Sequence, residues 1–457
     1  MNLSLRVGAA ETTINPRLGM QIDGNIGAYR PAQAVLDDLH ARAVFFQQGD
    51  NRFLLLSLEV LAITKEWSDA IRDFAAGEFG LDRDAVAVHA VQNHSSPSMG
   101  HIMLTDRLEA AKKYPWIRGS DPGYGPLAMD RIKPMIRRAI ESAEPARLIF
   151  GSALESRVSF NRRTVMRDGT AEMGFGRRSP MDALYREGPM DPEVGVALFT
   201  TPELKTIAAL LHHTCHPVHW QPHHAIHGDW PGAWAAEVRS RLIPSAIPLV
   251  LNGCCGNIIH HDTFNTQRED TPRSMARLLT DAVQAAITNP YFEEDAPAMA
   301  WKTVRFGIPF RKFPDGTFEA AHKLIAEHPE PIWTDASRTR FEWSWQFAAS
   351  LLDVERLLAA EREFEYEIQA LRLGGLAILV LPGEPFVEAQ LEIKQRSPAQ
   401  RTFVAHMSNR FAGYIPTPAA IRRGGYETTP CVSSKLAPEA LGMIVERSVK
   451  LLEELYE

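Results

Sequence analysis

Short apolar runs alternate with longer amphipathic patterns along the chain. Each run is rich in Val, Ile, Leu and Ala and is flanked by turn-forming residues, which is typical of a strand buried on both faces. The strands predicted in this way are Phe53–Leu58, Val86–Val91, Ile207–Leu211, Pro248–Leu251, Leu376–Leu381 and Thr402–Ala405. Alternation of such strands with helices predicts a mixed α/β fold in which central mixed sheets are flanked by helices.

The helical segments have recognisable ends. Thr271 is placed to cap a helix that begins at Pro272, and Gly80 is placed to end the helix that follows Thr64. The predicted helices are Lys65–Phe79, Met129–Ala143, Pro272–Ile287, Trp343–Ala360, Pro385–Lys394 and Pro438–Leu455. Long irregular stretches are uncommon unless functional or mobile, and three are predicted, at about His101–Leu127, Arg163–Asp191 and Phe313–Thr334. We find no linker, so residues 1–457 are predicted to form one catalytic domain.

Composition excludes several classes of function. A net charge of −7 argues against a nucleic-acid partner, which would need a basic face. No apolar run reaches the roughly 18 residues that span a bilayer, so no integral membrane association is expected. The N-terminus lacks the basic and apolar regions of a signal peptide. The four cysteines form no C-x-x-C pair, which favours a reducing compartment. We therefore predict a cytoplasmic protein; no sequence feature indicates its oligomeric state.

Side chains that can bind a metal, transfer a proton or donate hydrogen bonds follow the predicted strands. They include His94, the segment from His212 to His216, the Asn252–Asn257 turn, Glu384, and His406 with Asn409 and Tyr414. Sites in open α/β sheets form beyond the carboxyl ends of the strands, so these side chains are predicted to converge there.

The segment from His212 to Asp229 is unusually rich in histidine, with seven of the sixteen histidines of the chain. Imidazole is the commonest transition-metal ligand, and carboxylate completes many zinc sites. His216, between a strand end and Pro217, is the strongest candidate ligand. For His212, His213, His223 and His224 a structural position is the favoured interpretation. Glu384 precedes a predicted helix, where a negative charge is favoured even without a further role.

The turn from Asn252 to Asn257 has three interpretations. Its glycines could present backbone N–H groups to an oxyanion, or it could be a turn that buries two thiols. A nucleophilic Cys254 or Cys255 beside a histidine is a third alternative, although free cysteine is more often a small core residue.

Taken in order, the motifs resemble the catalytic N-terminal region of the neutral/alkaline (non-lysosomal) ceramidases. No single motif is specific to this family, but the order in which the motifs follow one another along the chain is. They are Val7-Gly8-Ala9-Ala10-Glu11-Thr12, Ala41-Arg42-Ala43, Leu56-Ser57-Leu58-Glu59, Asn93-His94-Ser95-Ser96-Pro97, Asn161-Arg162, Cys215-His216-Pro217, Gly228-Asp229-Trp230-Pro231-Gly232, Pro382-Gly383-Glu384, Gly413-Tyr414-Ile415 and Tyr426-Glu427.

The resemblance implies a zinc amidohydrolase that cleaves the N-acyl bond of ceramide, with zinc held by two His, one Glu and one Tyr. The matching metal ligands are His216, Glu384 and Tyr414. His94 resembles the second His of an H-x-H pair that contacts the substrate or intermediate. The resemblance also implies that Arg162 and Tyr426 contact the substrate, and Asp229 is predicted to shape the site.

Two positions depart from the family pattern. The first zinc His falls on Gln92, and amide oxygen is a poor zinc ligand. Either His94 or another nearby His takes that place, or the metal is another divalent ion, or there is none. The nucleophilic Ser falls on Ile259, which cannot be a nucleophile, so water activated by a metal or by histidine is the predicted alternative.

These features predict a metal-dependent hydrolase, with Zn²⁺ as the expected metal, that cleaves an amide-type bond. The chain ends at Glu457, before the C-terminal β-sandwich typical of the secreted ceramidases, and shows no membrane-binding helix. A small soluble substrate is therefore expected rather than a long-chain lipid. The alternatives are a lyase, an isomerase or a Cys-dependent enzyme on the same scaffold, and a non-catalytic protein that binds a small molecule.

Overall fold

The computed structural model describes residues 4–176, 178–221, 223–288 and 292–457; Pro222 of the His-rich segment and Arg177 of a predicted long loop lie outside them. The helices are α1 Lys65–Phe79, α2 Glu109–Lys113, α3 Tyr124–Glu141, α4 Asp229–Arg241, α5 Pro272–Thr288, α6 Thr317–Glu327, α7 Trp343–Ala360, α8 Val387–Arg396, α9 Pro418–Arg423 and α10 Ala440–Tyr456. The strands are β1 Arg6–Thr13, β2 Ala34–Val35, β3 His40–Gln48, β4 Asn51–Leu58, β5 Val86–Ala90, β6 Glu144–Pro145, β7 Arg147–Leu154, β8 Phe160–Asn161, β9 Arg163–Met166, β10 Ala171–Met173, β11 Ala183–Arg186, β12 Glu193–Thr200, β13 Thr206–His213, β14 Ala225–Ile226, β15 Ile247–Asn252, β16 Ile258–Ile259, β17 Phe292–Glu294, β18 Met299–Pro309, β19 Glu363–Leu373, β20 Leu376–Val380, β21 Glu384–Pro385, β22 Arg401–Ala405 and β23 Tyr414–Ile415.

Three mixed sheets form the centre of the molecule. Their strand orders are β5-β4-β3-β1-β6, β15-β13-β12-β7-β17 and β18-β19-β20-β22. Each sheet has a parallel pair at one edge, namely β4–β5, β13–β15 and β20–β22, beside antiparallel neighbours. The predicted mixed α/β class is confirmed. No described helix is both long and apolar enough to cross a bilayer.

One face of each sheet contributes to a shared core. Phe53 and Leu55 of β4 pack there with Phe199 of β12 and Ile378 of β20. The opposite face of each sheet is covered by two helices: α1 and α3 on the first, α4 and α5 on the second, α8 and α10 on the third. Strands buried on both faces explain the continuous apolar runs of the sequence.

The predicted helix ends at Thr271 and Gly80 occur in the structure. Thr271 Oγ1 accepts a hydrogen bond from the Ser274 N–H at 3.1 Å, and Gly80 ends α1 with a left-handed φ of 61°. The helix predicted to start at Pro385 instead starts at Val387. Residues 384 and 385 pair with 414 and 415 as β21 and β23, a long-range pairing that local helix signals do not report.

Candidate functional site

Asn252, at the end of β15, ties together the carboxyl ends of strands from all three sheets. Its side-chain Nδ2 donates to the carbonyls of Val91, at 2.9 Å, and Cys215, at 3.0 Å, while its Oδ1 accepts from the Cys215 N–H. Its own carbonyl accepts from the N–H of His406 at 3.1 Å. The strand ends predicted to converge are therefore held by one fully buried amide.

His216 and Glu384 form a buried pair with two vacant ligand atoms. His216 Nε2 lies 3.5 Å from Glu384 Oε2, and neither atom has a hydrogen-bond partner among the described residues. The His216 Nδ1 donates to the carbonyl of Cys255 at 2.7 Å, which leaves the lone pair on Nε2. Burial lowers the pKa of His216 and raises that of Glu384 to about 7. A buried imidazole nitrogen and a buried carboxylate oxygen that lack hydrogen-bond partners and lie this close together can both coordinate one metal ion.

Tyr414 stands beside this pair because β23 pairs with β21, directly opposite Glu384. The Arg162 guanidinium lies 5.5 Å from the centre of the Tyr414 ring, and its Nε donates to Glu427 Oε1 at 2.7 Å. The Nη2 of Arg162 is buried and has no hydrogen-bond partner in the part of the chain that the structure describes. Tyr426 packs edge-on against Tyr414, with ring centres 5.8 Å apart. A cation with a free N–H group and two phenols thus border the His216–Glu384 pair.

His94 lies on the other side of His216, with 5.5 Å between the ring centres. Its Nδ1 donates to the carbonyl of Gly24 at 2.9 Å, and its Nε2 is buried without a partner. Burial lowers the pKa of His94 to about 4, so the ring is neutral near pH 7. The ligand atoms of His94, His216 and Glu384 do not all lie within 4.8 Å of one another. Among the described residues, a different group of three side chains has that spacing.

Gln92, at the position of the missing zinc His, adopts a left-handed backbone with φ of 68°. Its Oε1 accepts a hydrogen bond from the Cys255 thiol, with Sγ and Oε1 3.3 Å apart, and its side chain also bonds Glu384. The amide therefore occupies the space beside Glu384. Ile259, at the position of the missing Ser, is half-buried and its backbone bridges to His216.

The two thiols of the Asn252–Asn257 turn are fully buried. Burial raises the pKa of both Cys254 and Cys255. Cys255 Sγ lies 3.6 Å from His406 Nε2, but burial also lowers the pKa of His406, so that ring does not supply a stabilising positive charge. The surroundings favour thiols over the nucleophilic thiolate form.

A pocket opens above these groups. Gln92, His94, Glu384, Tyr414 and Tyr426 form its polar floor. Its walls are mainly apolar and include Ile26, Leu61, Ile102, Met103, Trp116, Ile117, Phe341, Met407 and Phe411. The predicted loop His101–Leu127 thus supplies one wall. A second wall, from residues 21–28, was missed because no pattern in that stretch predicts a role.

Asp229 lies apart from the pocket lining, at the start of α4. Its Oδ1 accepts from His219 Nδ1 at 2.7 Å and from the Trp230 N–H at 2.7 Å. Burial alone would raise the pKa of Asp229, but the His219 imidazole outweighs it and holds that pKa at about 2. The structure therefore groups Asp229 with His219 rather than with Glu384.

Comparison with solved structures shows what this geometry resembles. The chain aligns over its full length with 75% of the neutral ceramidase from Pseudomonas aeruginosa, at a TM-score of 0.73 and 16% identity. The fold is ceramidase-like. A ceramidase complexed with C2 aligns with 99% of this chain and 75% of its own, at a TM-score of 0.69 and 16% identity. No family model and no curated protein sequence matches the chain.

Proposed function

We propose that this ceramidase-like chain is a metal-dependent hydrolase of an amide-type bond in a small substrate, with residues 1–457 acting as one catalytic unit. The observation that carries the proposal is the buried His216–Glu384 pair, whose facing atoms have no hydrogen-bond partner among the described residues. Glu384 lines the pocket, and His216 contacts Glu384 from outside the lining. Tyr414, which pairs with Glu384 across β21 and β23, completes a set of one nitrogen and two oxygen donors.

That donor set suits Zn²⁺ among the divalent metals, since zinc accepts imidazole and oxygen ligands with an open position. A metal ion held there would polarise the substrate carbonyl and lower the pKa of water to about 7. Gln92 contributes no imidazole, and its amide already bonds Cys255 and Glu384. His94 remains a candidate additional ligand, because its vacant Nε2 faces the same region.

If Nε2 of His94 does not bind the metal, His94 is the residue best placed to move the proton. The Gly24 carbonyl holds its Nδ1–H, so Nε2 presents a lone pair that can accept a proton from water and return it to the leaving amine. Its neutral resting state keeps this lone pair available. Ile259 offers no nucleophile, so the reaction goes through water rather than an acyl-serine intermediate.

Arg162 and Tyr426 hold the substrate. The free Nη2 of Arg162 offers an N–H group to an oxygen of the substrate, and Glu427 fixes the guanidinium from behind. Burial raises the pKa of Tyr426, so its phenol stays protonated and donates a hydrogen bond. The apolar walls around Trp116 and Phe341 favour a substrate with an apolar acyl or aromatic group.

The test is hydrolysis of a series of fluorogenic N-acyl amides of increasing acyl length by protein purified without chelator. We expect activity that falls at least about a hundredfold in Glu384→Gln, since the carboxylate would hold the metal. Glu392→Gln is the matched control, because Glu392 lies on the exposed face of α8 and pairs only with Arg396. Activity that survives Glu384→Gln, or protein that carries no metal, would contradict the proposal.

A further inference from the structure

A second group of ligand atoms lies outside the pocket. His219 follows β13, His260 follows β16, and Asp270 precedes α5. Among the described residues, these form the one group of three His, Cys, Asp or Glu side chains whose ligand atoms all lie within 4.8 Å of one another. His260 Nδ1 is 2.8 Å, and His219 Nε2 is 3.4 Å, from Asp270 Oδ1. The ligand atoms of a tetrahedral zinc ion lie about 3.3 Å apart, which is close to these spacings. The His219 and His260 rings stack with centres 3.5 Å apart and planes 18° apart, so one ring must rotate for both nitrogens to point at one ion.

The orientation of His219 points independently to a ligand. Its side chain is 3% exposed, and Asp229 Oδ1 accepts its Nδ1–H at 2.7 Å. The remaining Nε2 is buried and faces Asp270 Oδ1 at 3.4 Å, which is long for a hydrogen bond. A carboxylate that fixes one ring nitrogen while the other faces a metal is the usual support of a metal-binding histidine. Asp229 is itself fully buried and held by the backbone N–H groups of Trp220 and Trp230.

The surroundings give an ion a route from solvent. Asp270 is 21% exposed, and His261, which is 49% exposed, places its Nδ1 3.3 Å from Asp270 Oδ2. Arg268 Nη2 lies 3.2 Å from Asp270 Oδ1 and donates to the carbonyl of His260. A bound cation would compete with this guanidinium for Asp270, and the His260 carbonyl would keep Arg268 in place.

We propose that His219, His260 and Asp270 bind a second divalent transition-metal ion, with Zn²⁺ the best fit to two imidazoles and one carboxylate, and that Asp229 is the positioning residue for His219. The ion has a structural role. His260 directly follows Ile259, whose backbone bridges to His216, so the ion ties the segment that carries His216 to the start of α5. This proposal does not depend on the hydrolase activity.

The experiment isolates this site in the full-length chain. Glu384→Gln first removes the pocket site, and the chelator-stripped variant is then titrated with Zn²⁺ against a chromophoric chelator. We expect about one equivalent to bind, and its affinity to fall at least tenfold when His260→Gln or Asp270→Asn is added. Asp229→Asn should weaken binding by about tenfold to a hundredfold. His322→Gln is the control, because His322 is exposed on α6 and pairs with Glu355.

A second measurement needs no substitution at the new site. Acylation of histidines by diethylpyrocarbonate, mapped by mass spectrometry, should show His260 protected by Zn²⁺ while the exposed His322 stays reactive. If Zn²⁺ gives no protection, or if the affinity is the same with and without His260 and Asp270, the group is an ion-pair network without a metal and the proposal is overturned.

Discussion

Nε2 of His216 lies 3.5 Å from Oε2 of Glu384, and both atoms are buried with no hydrogen-bond partner among the residues that the structure describes. Two buried polar atoms without partners lower the stability of the fold. Such a pair is therefore expected where a bound ligand interacts with both atoms. Gln92 sits beside Glu384, at the position where the family resemblance predicts a zinc-binding histidine.

Gln92→His should therefore tighten Zn²⁺ binding at the pocket by at least about tenfold, because imidazole is a stronger zinc ligand than an amide. The left-handed backbone at this position is compatible with the change, since His is among the non-glycine residues that tolerate it. Competition with a chromophoric chelator measures the affinity, in protein whose second site is removed by His260→Gln. An affinity that is unchanged or weaker would show that residue 92 does not face the metal.

Asn252→Ala should destabilise the protein by about 3 kcal/mol. The substitution leaves the carbonyls of Val91 and Cys215 without their buried donor and opens a cavity between the strand ends. Urea unfolding checks the free energy. Asn265→Ala, at an exposed position, is the control and should change stability by less than about 0.5 kcal/mol. Equal effects of the two substitutions would mean that Asn252 does not tie the strands together.

Glu427→Gln should destabilise the protein by about 3 kcal/mol or more, because Glu427 is 1% exposed and pairs with both Arg162 and Arg163. Removing the carboxylate leaves Arg162 without an ion-pair partner in a buried environment. Glu446→Gln breaks the exposed pair with Arg396 and should cost less than about 1 kcal/mol. Thermal unfolding of the two variants gives the comparison, and a stable Glu427→Gln would refute this account of the network.

Stability should fall in acid through Glu59. Burial raises the pKa of Glu59, but the Arg42 guanidinium and His40 outweigh burial and hold it at about 2, below the ordinary 4.5. The contribution of this carboxylate is therefore complete above about pH 4.5 and is lost as the pH falls towards 2, for a total of about 3 kcal/mol. Unfolding free energies of the parent and Glu59→Gln should differ near neutral pH and converge in acid. A constant difference at every pH would contradict the shifted pKa.

Much of the secondary structure was predictable because its causes are local. Val86–Ala90 and Leu376–Val380 are buried along their whole length, so each appears in the sequence as an unbroken apolar run. Gly80 ends α1 through its own backbone conformation. The helix start at Pro385 was wrong for the complementary reason: residues 384 and 385 pair with residues some thirty positions later, and local helix propensity carries no information about that partner.

The candidate site, too, was predictable from the sequence only in part. The amino-acid sequence specified which side chains have metal and proton chemistry and that they follow strands, and the family resemblance singled out His94, His216, Glu384 and Tyr414; their roles remain predictions. The tertiary structure decided which of them meet. Packing of three sheets around one core brings Glu384 to His216, separates Asp229 from the pocket, and joins His219 to His260 and Asp270 from distant loops. Helix and strand propensity and helix capping act over a few residues. Contacts between side chains from distant segments depend on how whole sheets pack, which no short stretch of sequence encodes.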